Sequence, residues 1–209
     1  MSYKAVIMLV ALTFMPFVGF TQDESGYTAG ITRLLNWIDD IDEVLSRISS
    51  KEKLKRIYRQ LGYLGEDLDN LELSKALLTG ELSKLAVKDF KSTSEVQQQE
   101  ILSDIRNDVS SISEDLDRVA DRLTSIKSDV SQTDQVQVDD LVQTVRFKIE
   151  GKRGIMERIE RHLSNATSKN LTKMIEESNK SQKVAELTST KIKEAKLRIK
   201  KKLEHLEKK

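Results

Sequence analysis

Nine apolar residues in succession fall three and four positions apart: Leu102, Ile105, Val109, Ile112, Leu116, Val119, Leu123, Ile126 and Val130. That is the a/d seam of a heptad repeat, sustained over four repeats. Ser, Asp, Arg, Asn and Lys fill the positions between. A helix of this kind buries a narrow stripe against another helix and solvates everything else, which leaves little room for a pocket. These nine side chains are the expected interface, for self-association or for a protein partner.

The same grammar recurs along the chain. A first seam runs Ile31, Leu34, Ile38, Ile41, Leu45 and Ile48, with Thr28 as candidate N-cap and an interruption at Ser49-Ser50. A second runs Leu54, Ile57, Leu61, Leu64, Leu68, Leu71, Lys75, Leu78, Leu82 and Leu85, broken only by Lys75. Gly62, Gly65 and Gly80 lie inside it and mark a kink, a tight crossing or a helix end near Tyr63. Ser94 and Gln97 fit a capping box that opens the third helix. After Ser131–Gln135 the phase slips, and Val138, Val142, Val145, Ile149, Met156, Ile159 and Leu163 continue it. Ser164–Lys169 reads as a turn. The last segment is looser, with Leu171, Met174, Ile175, Val184, Leu187, Ile192, Ile199, Leu203 and Leu206. No alternating strand pattern occurs. The expected class is all-α: long amphipathic helices forming an antiparallel bundle or an extended coiled coil.

Composition agrees with long helices. Charged residues make up 33% of the chain and aromatics 5%, with eight Gly and one Pro, too few breakers for an ordinary globular domain. The net charge of +1 hides a gradient: −2 over residues 1–99, −7 over 100–145 and +10 over 146–209. An acidic centre and a basic C-terminal third attract each other, within one chain or between chains. There are no cysteines, which excludes disulfides, thiol chemistry and cysteine-based zinc sites.

Ala5 to Phe20 is a sixteen-residue stretch without charge, preceded by Lys4 and followed by a polar segment. A membrane span needs about 20 residues. The run reads instead as a secretory signal peptide over residues 1–21, cleaved after Thr21, with Gly19 and Thr21 as the small residues before the cut. An uncleaved anchor and a buried N-terminal helix are the alternatives. The expected organisation continues with a helical hairpin over 22–90, an acidic-to-basic coiled-coil segment over 91–166 and a basic helix over 167–209. The expected location is secreted, periplasmic or at the cell surface.

Catalytic, metal and cofactor sites are not expected. His162 and His205 are the only histidines, and neither has the i+4 partner of a helical metal site. Asp39-Asp40-Asp42-Glu43 and Glu66-Asp67-Asp69 lack the spacing of a calcium loop and read as solvated helix faces. Gly151-Lys152-Arg153-Gly154 lacks the length and the Lys-Ser/Thr ending of a P-loop. Trp37 beside the first seam reads as a residue packed at a helix crossing.

Two further features bear on partners. Lys191–Lys209 places Ile192, Ala195, Ile199, Leu203 and Leu206 on one face among Lys191, Lys193, Lys196, Arg198, Lys200, Lys201 and Lys202. That pattern suits packing on the acidic third segment, or contact with a membrane surface or anionic polymer. Nucleic acid is disfavoured, because no aromatic platform accompanies the lysines. Asn165, Asn170 and Asn179 begin three N-glycosylation sequons, meaningful only in a glycosylating cell. The expected function is that of an exported, non-enzymatic coiled-coil scaffold. The alternative is a peripheral surface-binding protein that uses the basic C-terminal helix.

Overall fold

The computed structural model describes residues 26–87, 94–150 and 168–207. All six elements among them are helices: α1 (Gly26–Asp39), α2 (Ile41–Ser46), α3 (Lys51–Val87), α4 (Glu95–Lys127), α5 (Gln132–Glu150) and α6 (Ser168–Glu207). At 1.5 Å per residue, the 40 residues of α6 span about 60 Å.

Helix ends follow local chemistry. Ser94 has extended backbone angles, and its hydroxyl accepts from the Gln97 N–H at 3.4 Å, capping α4. Ser131 does the same for α5, accepting from the Asp134 N–H at 3.3 Å. Ser50 begins α3 by accepting the Leu54 N–H on its carbonyl. Thr28 falls inside α1, which starts at Gly26 rather than at the expected cap. α3 runs unbroken through all three of its glycines, so no helix ends near Tyr63. Gly62 and Gly65 instead mark a tight crossing. A Cβ on Gly65 would sit 3.4 Å from the Ile192 side chain, and one on Gly62 would sit 3.0 Å from the Lys196 ammonium.

Charged pairs between helices give their directions. Arg56 meets Asp129, and Ser74 meets Asp115, so α3 and α4 are antiparallel. Lys127 pairs with Asp139 at 2.6 Å and Arg146 with Asp121 at 3.2 Å, so the chain reverses between α4 and α5. Arg33 reaches Asp140 at 2.9 Å, and Arg47 reaches Asp134, which makes α1–α2 antiparallel to α5. Lys51–Glu207 and Thr79–Ser178 set α6 antiparallel to α3. Lys191–Asp39 and Arg198–Asp42 set it parallel to α1–α2. Each long helix therefore lies between two others, in the cyclic order α1, α5, α4, α3, α6.

The seams face inward. Ile31, Leu34, Ile38, Leu54, Ile57, Leu61, Leu64, Leu68, Ile105, Leu116, Leu123, Ile126, Val138 and Val145 all belong to one core cluster. At about 25 cal/mol per Å² of apolar surface withdrawn from water, this stripe-on-stripe contact is the main stabilising term. α6 agrees with expectation at Ile192 and Ile199, which are buried, and at Met174, Ile175, Val184, Leu203 and Leu206, which pack against the core, but not at Leu187. Its buried stripe is Ser178, Ser181, Ala185, Thr188, Ile192, Ala195 and Ile199, while Leu187 is 47% exposed. These small residues keep strict three–four spacing and let α6 approach α3 closely at Gly62 and Gly65. The expected seam residues Met156, Ile159 and Leu163, with the side chains of Leu85, Ile149 and Leu171, lie outside the described residues.

Candidate functional site

Of the nine expected interface residues, Ile105, Val109, Ile112, Leu116, Val119, Leu123 and Ile126 are buried on α4, and Val130 is buried in the turn after it. Leu102 is half-buried against the same core. α4 packs against α3 and α5, so these side chains are occupied within the chain.

A set of buried polar contacts crosses the core. Asp67 of α3 is 5% exposed and sits between two cations of α4, Arg122 at 3.1 Å and Arg118 at 3.5 Å. The Arg122 guanidinium also lies over the Tyr63 ring, 4.8 Å from its centroid. Two turns further along α3, the Ser74 hydroxyl donates to Asp115 at 2.8 Å, and Arg118 pairs with the other Asp115 oxygen. Burial pushes the Asp115 carboxyl above its usual range, against the opposing pull of Ser74 and Arg118. So the second acidic cluster is no solvated face at Asp67, because two arginines compensate its burial.

Lys75 occupies a seam position of α3 and is 4% exposed. Its carbonyl accepts from Thr79 at 2.8 Å and from Ser178 of α6 at 3.3 Å. Burial pulls the ammonium down to about 8, partly offset by the Glu177 carboxylate. Ser74–Asp115, Lys75–Ser178 and Thr79–Ser178 thus link α3 to α4 and to α6 through buried or part-buried polar contacts at one level of the stack.

A second polar cluster closes one end. Arg56 grips both oxygens of buried Asp129, with its Nε 3.0 Å from each. Arg47 pairs with buried Asp134, whose other oxygen accepts from the Ser131 hydroxyl. Arg47, in the α2–α3 turn, thus holds the start of α5, and Arg56, near the start of α3, holds the α4–α5 turn. They are bidentate or charge-assisted contacts, the kind that fix geometry best.

The basic residues of α6 mostly face their own fold. Lys191 pairs with Asp39 at 3.5 Å, Lys193 with Asp69 at 3.3 Å and Arg198 with Asp42 at 2.9 Å. Lys196 lies over the Tyr58 ring at 5.0 Å, and Lys202 donates to the Leu45 carbonyl. Lys200 and Lys201 are exposed. The packing is along α3 and α1 rather than chiefly on the acidic α4. The first acidic cluster is what the lysines meet: Asp39 and Asp42 face α6, while Glu43 holds Arg47.

Asn179 is exposed on α6, and His205 is exposed near its end. Asn165, His162 and Gly151–Gly154, with the Asn170 side chain, lie outside the described residues. A shallow cleft of about 440 Å³ separates α1 from α5, lined by Arg33, Trp37, Asp40, Val136 and Asp140. The Arg33–Asp140 pair spans it, which leaves its one cation matched. Trp37 itself is buried at this crossing, with no acceptor for its indole N–H among the described residues. Among the described residues no three His, Asp or Glu side chains gather as a metal site. None of their helices is long and apolar enough to cross a membrane.

What this arrangement does chemically is position helices: its buried carboxylates are matched by arginines or hydroxyls. No protein-family model matches the chain, and no curated protein or solved structure matches it either.

Proposed function

We infer that the chain is an exported, non-enzymatic scaffold: a bundle of long helices, mostly antiparallel to their neighbours, that acts through helix-to-helix association outside the cytoplasm. The observation that carries this reading is the consistent use of the heptad. Seven successive seam positions of α4, from Ile105 to Ile126, are buried against neighbouring helices, and charged residues occupy the faces between. The buried polar groups hold helices in place: Asp67, Asp115, Asp129 and Asp134 each contact a partner on another helix or turn. The uncharged run Ala5–Phe20 behind Lys4 supports the address.

Membrane-surface binding by the basic helix is the weaker reading, because five of the seven basic side chains between Lys191 and Lys202 have intramolecular contacts. The test is fractionation of producing cells with N-terminal sequencing of the recovered protein. The expected result is recovery outside the cytoplasm with Gln22 as first residue. Recovery in the cytoplasm with Met1 retained would overturn the export claim.

A further inference from the structure

The seams point inward, yet one helix face is left apolar and uncovered by the described residues. On α3, Glu66, Asn70, Leu73, Leu77, Gly80 and Lys84 are all exposed and recur at four–three spacing, so they form one stripe about 27 Å long. Leu73 is 61% exposed and Leu77 is 54% exposed. Neighbouring leucines on an outer helix face are unfavourable in water unless something covers them.

The order of the stripe identifies what fits it. Reflected about Lys75, every member meets a complement: Leu73 faces Leu77, Glu66 faces Lys84, and Asn70 faces Gly80. An antiparallel pair of identical helices related by a two-fold axis makes that match, since each residue meets its mirror position in an isologous contact. Two Glu–Lys pairs then flank four leucines. Nothing lies within 4 Å of where a Cβ on Gly80 would stand, so the Asn70 amide of the other copy has a notch to enter. Lys84 pairs with Glu81 and lies near Asp104 and Asp108 of α4 in its own chain, yet its side chain is exposed enough to meet a further carboxylate as well. A sequence that covered these leucines with an unrelated partner would have no need of this internal mirror symmetry.

We propose that the outer face of α3 is a self-association surface, on which two copies of the chain pack antiparallel about Lys75. This deepens the scaffold reading by naming its partner as a second copy, and it rests on that reading. A contact one helix wide falls below the roughly 800 Å² per partner of a standard interface, so the dimer is weak, with a dissociation constant above about 1 μM.

Sedimentation equilibrium of the full chain across a range of concentrations tests it, with circular dichroism melts to verify folding. The average mass is expected to climb from one chain toward two. Leu77→Asp is expected to hold the mass at one chain with an unchanged melt. Glu66→Lys and Lys84→Glu set like charges opposite each other in homodimers, and each is expected to weaken association at least tenfold. Mixed in equal amounts, these two variants place opposite charges together at both ends, and association is expected to return. Salt is expected to blunt all three charge effects. A monomer at every concentration, an unaffected Leu77→Asp dimer, or no gain on mixing would each overturn the proposal. If Lys84→Glu does not fold, Glu66→Lys and Leu77→Asp still decide it. Its failure is separable from that of the scaffold reading. A strict monomer found outside the cytoplasm removes this face alone, and a dimer retained in the cytoplasm removes only the export claim.

Discussion

Replacing Lys75 by Met is expected to stabilise the protein at neutral pH. Lys75 stands where the seam of α3 otherwise carries Leu, and it is buried. Burial lowers its folded-state pKa from 10.5 to about 8, with Glu177 only partly opposing. Each unit corresponds to about 1.4 kcal/mol, so holding the ammonium in place at pH 7 costs on the order of 3 kcal/mol. The direction with pH follows from proton counting. Between about pH 8 and 10.5 the unfolded chain holds the Lys75 proton and the folded chain has released it. Stability from this group therefore rises with pH across that window, while below it the full cost persists. Met fills similar volume without a charge but forfeits the polar contacts of the ammonium, so a net gain of about 1–3 kcal/mol at pH 7 is expected. Urea denaturation of both proteins at pH 7 and at 10.5 measures it. The gap between them should narrow by about 3 kcal/mol as pH rises, and other titrating groups cancel in the difference. A variant less stable than its parent at pH 7, or a gap that does not change with pH, would refute the reasoning. Either outcome would mean that the ammonium is well solvated or strongly paired where it sits.

Three other outcomes follow from the packing. Asp67→Ala leaves Arg118 and Arg122 without their shared carboxylate and is expected to lower stability by about 2 kcal/mol in urea melts. Leu116→Ala opens a cavity in the α4 seam and should cost about 2–5 kcal/mol, while Leu116→Asp with Leu123→Asp should abolish the cooperative melt seen by circular dichroism. Gly80→Ala, where nothing crowds a new Cβ, should stabilise α3 by about 0.5–1 kcal/mol at dilutions where the chain is monomeric.

Much of this architecture is written in residue spacing, and the exceptions are instructive. The seams of α3 and α4 are legible because Leu, Ile and Val hold nearly every a and d position. The reversals at 47–50 and 128–131 appear as phase slips, but a slip does not state which way the chain turns. Arg47, Arg56, Asp129 and Asp134 state it, and long-range charge pairs have no local signature. α6 is harder to read because Ser178, Ser181, Ala185 and Thr188 hold part of its inner stripe, whereas the apolar Leu187 points outward. Counting small residues as seam candidates would have recovered it, since their three–four spacing is unbroken. Asp67 and Asp115 read as solvated charges for a related reason. A carboxylate beside a seam residue looks outward until a partner on the next helix, Arg122 for Asp67 and Ser74 for Asp115, is known to meet it.

α6 walls both α1 and α3, and this has a consequence for how the core closes. Without it, the stripes of Ile31–Ile48 and Leu54–Leu71 are covered from one side only, by α5 and by α4. The contacts that complete them join distant parts of the chain, as Lys193 and Asp69 do across 124 positions, so docking of α6 is the non-local and therefore slow part of assembling the core.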